Sequence, residues 1–171
     1  KGAMVVVGGA LDERPIDQVV LLELSSMRWS RLGGSAWEGP RPFPRFGHGA
    51  CAIGSRIFLF GGTTGAAPDS FGSYFLNSGF ELGYKRFAKA DLSVIDLDAR
   101  SFSSPHYAGA HPPASYRMSV EVVRSKIFVF GGVGGTNKVF TLDTGLEGFG
   151  DVARVNVAKR MGEETAAAAE A

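Results

Sequence analysis

The chain has 171 residues, 44% of them hydrophobic and 20% charged, with 24 glycines and 13 phenylalanines; this composition excludes a disordered chain and permits one sizeable core. Eighteen basic residues against seventeen acidic ones leave a net charge of +1, so the basic footprint of a nucleic-acid binder is missing. No apolar run reaches the roughly 20 residues that span a bilayer, and the single cysteine, Cys51, forms no internal disulfide, which favours an intracellular and most simply cytoplasmic setting.

The chain opens on a strand: Met4-Val5-Val6-Val7-Gly8-Gly9 is a short apolar run closed by a glycine doublet. Because this reads as mid-strand, behind Lys1 and without an initiator methionine, more chain is expected upstream. Val19-Val20-Leu21-Leu22-Glu23-Leu24 supplies the next strand, and Trp29, five residues beyond Leu24, opens a further one. Residues 1–32 therefore read as three strands of a sheet whose first strand precedes them. The Gly- and Pro-rich stretch 33–47, which carries Trp37, reads as a linker.

The second unit, 48–104, contains Ile57-Phe58-Leu59-Phe60-Gly61-Gly62, and the third, 105–150, contains Ile127-Phe128-Val129-Phe130-Gly131-Gly132. One register fits both: Pro42, Phe46, Ala50, Ile53 and Ile57 stand 70 positions before Pro112, Tyr116, Val120, Val123 and Ile127. Each reads as an incoming strand, a tight turn at Gly54-Ser55-Arg56 or Arg124-Ser125-Lys126, and an outgoing buried strand. Leu92-Ser93-Val94-Ile95-Asp96-Leu97 and Lys138-Val139-Phe140-Thr141-Leu142-Asp143 follow as third strands. Phe102 stands five residues beyond Leu97; aligned on Leu142, Phe149 stands two residues late. In the tail, 151–171, Val152, Val155 and Val157 alternate as in another strand before an alanine-rich end suited to a short helix or disorder.

The connection from Gly62 to Leu97 spans 35 residues, against 15 from Gly9 to Leu24 and 10 from Gly132 to Leu142. This insertion, 63–89, holds Phe71, Tyr74, Phe75, Phe80, Tyr84 and Phe87, six aromatics within seventeen residues, beside Lys85 and Arg86. Aromatics next to basic residues are favoured at interface hot spots, and loops carry the variable function of rigid scaffolds. The insertion, with Trp37 on the same side, is the candidate partner-binding surface; the competing reading has these rings fold back as a plug or as a cover on a sheet face.

No catalytic chemistry stands out. His48, in Phe46-Gly47-His48-Gly49, is matched by Met118 and reads as structural; His106 and His111 lack any metal-ligand spacing, so no metal is expected. Val5-Val6-Val7-Gly8-Gly9-Ala10 is not followed by a dinucleotide fingerprint, and Gly134-Gly135-Thr136-Asn137-Lys138 leads into a strand instead of the helix of a phosphate loop. No cofactor is expected.

The repeated unit, with its doublets Gly8-Gly9, Gly61-Gly62 and Gly131-Gly132 and its downstream aromatics Trp29 and Phe102, resembles the kelch repeat over about residues 4–145. The resemblance implies an all-β fold, β-propeller blades of four antiparallel strands. A closed propeller takes about 4–8 blades, so this chain is expected to be part of a larger one. For function it implies a non-catalytic scaffold that docks a partner protein within a larger assembly. The alternative is the regulatory or substrate-binding propeller of a multidomain enzyme, of phosphatase or ubiquitin-ligase adaptor type; a copper oxidase of the class would need metal ligands not found here.

Overall fold

The three apolar runs closed by glycine doublets become the organising strands of three antiparallel sheets in the computed structural model, which describes residues 2–11, 14–64 and 90–146. The first sheet is β1 (Ala3–Val7), β4 (Val19–Glu23) and β5 (Arg28–Leu32), with a two-stranded ribbon of β2 (Ala10–Leu11) and β3 (Arg14–Pro15) in the connection. The middle sheet runs β6 (Gly49–Ile53), β7 (Arg56–Phe60), β8 (Leu92–Asp96) and β9 (Ser101–Ser103) in chain order. The third runs β10 (Ser119–Val123), β11 (Lys126–Phe130) and β12 (Val139–Asp143). The described residues contain no helix, and therefore none long and apolar enough to cross a membrane.

Local chemistry fixes the turns. The two-residue hairpins at Gly54-Ser55 and Arg124-Ser125 place Gly54 (φ 59°) and Arg124 (φ 56°) in the left-handed region that such turns require. At the far end of the third strand an acid caps the reversal: Asp96 accepts the amides of Asp98 (3.1 Å) and Ala99 (2.9 Å), and Asp143 accepts that of Gly145 (3.1 Å). These donors, joined by Arg56 at Asp96 and Ser125 at Asp143, hold both carboxyls below the usual aspartate range.

Cross-strand pairing corrects one sequence expectation. Ile57 lies opposite Ile95, Ile127 opposite Leu142, and Met4 opposite Leu22, so Leu142 corresponds to Ile95 and Leu22, not to Leu97 and Leu24. Counted from these partners, the aromatic falls seven residues on in every unit, at Trp29, Phe102 and Phe149, and the two-residue lag vanishes. The sequence pattern aligned the last leucine of each run, whereas the ladder aligns the acids Glu23, Asp96 and Asp143 that end the third strands.

Alternation then sorts the side chains into two interfaces. Ile57, Leu59, Ile95 and Phe102 of the middle sheet meet Val19, Val5 and Val7 of the first. From the opposite face Ile53, Phe58, Phe60, Leu92 and Val94 meet Met118, Ile127 and Val129 of the third. Cys51 sits beside this second interface; burial, and then the charge of Glu121, push its thiol up to about 12. Among the described residues no strand covers the outward faces of the flanking sheets, where Met4 and Val6 on one and Phe130 and Val139 on the other are exposed.

Candidate partner-binding face

The glycine doublets, the linkers between sheets and the stems of the long insertion gather at one end of the sheets. There the second glycine of a doublet stitches one unit to the next: the Gly9 amide donates to the Arg45 carbonyl (2.8 Å) and the Gly62 amide to that of Ser115 (2.9 Å). The approach leaves no room for a Cβ, which at Gly62 would lie 2.9 Å from His48 Cβ and at Gly132 2.8 Å from the Tyr116 carbonyl oxygen; both glycines have φ of +86°. Paired bridges repeat beside them, Phe46 with Thr63 and Tyr116 with Val133. The backbone at this end is cross-linked from unit to unit by hydrogen bonds.

Within it Arg45 is 1% exposed, and each of its three side-chain nitrogens donates a hydrogen bond. Its Nη1 donates to the Gly61 carbonyl (2.9 Å) and to Asp91 Oδ1 (2.9 Å), its Nη2 to Asp91 Oδ2 (2.7 Å), and its Nε to the Phe43 carbonyl (3.2 Å). Gly61 is where β7 hands the chain to the insertion and Asp91 is where the chain returns to β8, and the Gly61 amide also donates to the Asp91 carbonyl (3.2 Å). Arg45 therefore ties both stems of the insertion with a bidentate, charge-assisted pair. In the third unit Ser115 and Lys138 hold the equivalent positions and no such pair forms; there only a short connection joins the strands.

The aromatics and cations expected to form the surface, Phe71, Tyr74, Phe75, Phe80, Tyr84, Lys85, Arg86 and Phe87, lie outside the described residues. Trp37 is half-buried and stacks on Phe102, ring centroids 4.9 Å apart, with the Arg41 guanidinium 5.6 Å from the Phe102 centroid. Phe102 is buried and Trp29 exposed, because Trp29 lies on the outward face of the first sheet. His48 is half-buried at the same end, its Nδ1 without a hydrogen-bond partner among the described residues; burial, and then the Arg45 charge, lower its pKa. No three His, Cys, Asp or Glu side chains among the described residues come together as a metal site requires.

Sequence reading missed the Arg45–Asp91 pair, whose members are 46 residues apart. One signal was available: an arginine between Pro44 and Phe46 at a position where the sister repeat has the small Ser115.

A family model described as the KLHDC2/KLHL20/DRC7 kelch-repeats domain matches residues 1–160. The chain is similar to tip elongation aberrant protein 1 of Schizosaccharomyces pombe, 28% identical over 144 residues that make up 79% of this chain and 10% of that protein. It is similar also to the Rho GTPase-activating protein gacHH of Dictyostelium discoideum, 27% identical over 131 residues, 77% of this chain and 8% of that protein. The chain thus spans about a tenth of the length of these curated relatives.

Proposed function

The chain belongs to the kelch-repeat family, and from that premise we propose that it is a non-catalytic protein-binding module, a portion of a propeller that docks a partner protein within a larger assembly. The observation that carries this reading is the aromatic and basic insertion 63–89, held between stems that Arg45 clamps on a sheet buried on both faces. A rigid base lowers the ordering cost of presenting a loop, and tyrosine, phenylalanine and arginine are the side chains that anchor interfaces. The open apolar faces of the flanking sheets support membership of a larger propeller.

Affinity purification of the full-length protein from its source, wild type against a Tyr74→Ala, Phe75→Ala and Tyr84→Ala triple variant shown to fold, tests the reading. A stable set of partner proteins captured by wild type and lost in the variant is expected. Capture that is unchanged by the variant removes the insertion as the surface, and a protein that runs alone and turns over a substrate removes the module reading.

The length of the relatives favours a second reading, in which the propeller regulates or selects substrates for a catalytic portion elsewhere in a multidomain protein. It predicts that captured proteins are modified in a manner dependent on the full-length chain.

A further inference from the structure

Met27, Arg100, Arg117 and Arg124 hold φ in the left-handed region, a strain that glycine does not carry. Met27 and Arg100 occupy the matching turns between β4 and β5 and between β8 and β9, and Arg124 turns the hairpin between β10 and β11, so turn geometry accounts for all three. Arg117 (φ 59°) lies instead at the opposite end of the third sheet from that hairpin, beside the glycine doublets and the stems of the insertion. Its amide donates to the Gly47 carbonyl (2.6 Å), and Gly47 (φ 63°) is the residue that the middle unit has at the same position. Backbone strain of this kind persists where the side chain does something that glycine cannot.

The Arg117 side chain is exposed, and its guanidinium lies 5.7 Å from the centroid of the Tyr116 ring, itself 1% exposed and so a fixed platform. No ion pair engages this guanidinium among the described residues. A second difference between the sister units has the same sign. Where the middle unit has Asp91, which neutralises Arg45, the third has Lys138, exposed and likewise without an ion pair among the described residues. At these matching positions the middle unit is neutral and the third carries two unpaired cations. We infer that Arg117 anchors a carboxylate side chain of the protein docked on this face, with Lys138 as a supporting cation; the inference rests on the binding-module reading. A guanidinium lying on a ring still offers its edge to a carboxylate in two parallel hydrogen bonds, which neither glycine nor lysine reproduces.

The test uses the full-length protein and a partner identified by capture with the wild type. Arg117→Gly, which restores the residue of the middle unit, is expected to melt no lower than the wild type, because strain is relieved, and to bind that partner about tenfold more weakly. Arg117→Lys is expected to recover little of the affinity. Arg117→Glu should abolish binding, and an arginine put in place of the matching acid of the partner should restore it. A poly-glutamate peptide is expected to compete with the partner for the wild type and not for Arg117→Gly, while poly-glutamine competes for neither. Unchanged affinity in Arg117→Gly would overturn the inference and leave the binding module standing. A lower melting temperature in that variant would overturn it too, by giving Arg117 a packing role on Tyr116. A wild type that captures no protein removes the module reading, and this inference with it.

Discussion

Phe60 and Phe130 are the same residue at the same place in sister strands, yet one is 3% exposed and the other 49%. Among the described residues the middle sheet is covered on both faces and the third on one, so an apolar run closed by a glycine doublet encodes a strand made for a stack, and burial comes from the neighbour the stack provides. Charge follows the same division. The middle unit neutralises its buried arginine internally through Asp91, while the third places Ser115 and an exposed Lys138 at those positions.

The comparison breaks most readily at the phenylalanines. Phe60→Ala is expected to cost about 3–5 kcal/mol, as for other buried aromatics, and Phe130→Ala about 1 kcal/mol or less, since half its ring already meets solvent. Guanidinium midpoints at constant slope measure both. Equal costs in the full-length protein would show that a further sheet covers Phe130 there, which would extend the stack beyond the third sheet.

A comparable loss is expected at Asp91. Asp91→Ala strands the Arg45 cation at 1% exposure, for a cost of about 3–5 kcal/mol, whereas Lys138→Ala, at the matching exposed position, should stay within about 0.5 kcal/mol. Calorimetric melts of the two variants separate them. A cost at Asp91 as small as that at Lys138 would mean that solvent reaches Arg45 and that the stems of the insertion are not clamped by it.

The doublets give a smaller and internally controlled contrast. Gly62→Val meets His48 Cβ at 2.9 Å and the Phe46 carbonyl at 3.0 Å with φ at +86°, and should cost roughly 2–4 kcal/mol through strain and overpacking together. Gly131→Val, with φ +73° and nothing within 4 Å of the added Cβ, should show the strain alone, about 1–3 kcal/mol. Equal destabilisation would place the whole effect in backbone conformation and none in the stitching of one unit to the next.

These contrasts also mark what could be read without coordinates. The apolar runs, the hairpin turns and the 70-residue offset come from local propensity and self-similarity, so the all-β fold and the kelch family were legible from Ile57-Phe58-Leu59-Phe60-Gly61-Gly62 and its sister. The register of the third unit was not, because Leu97 and Leu142 look alike in sequence while only the partner across the ladder distinguishes them. Arg45 and Asp91 meet through the fold, and Trp37 on Phe102 joins a linker to an outer strand; neither follows from spacing. The insertion was visible as an excess of aromatics, a signal carried by composition alone.

The smallest contrast turns on His48, where the third unit has Met118. Burial and the nearby Arg45 charge hold the folded imidazole below its ordinary value, while the unfolded one takes a proton at about 6.5. Between those two values the unfolded chain binds more protons, so stability falls as pH drops below about 6.5 and levels off only beneath the folded value, with a slope of at most about 1.4 kcal/mol per pH unit from this group. His48→Met is expected to remove that contribution and to relieve the unpartnered Nδ1, so that guanidinium midpoints at pH 5 and pH 7.5 lie closer together than in the wild type. If the variant keeps the full wild-type difference, the acid sensitivity belongs elsewhere, and histidine and methionine at this position differ only in how they pack beside Gly62.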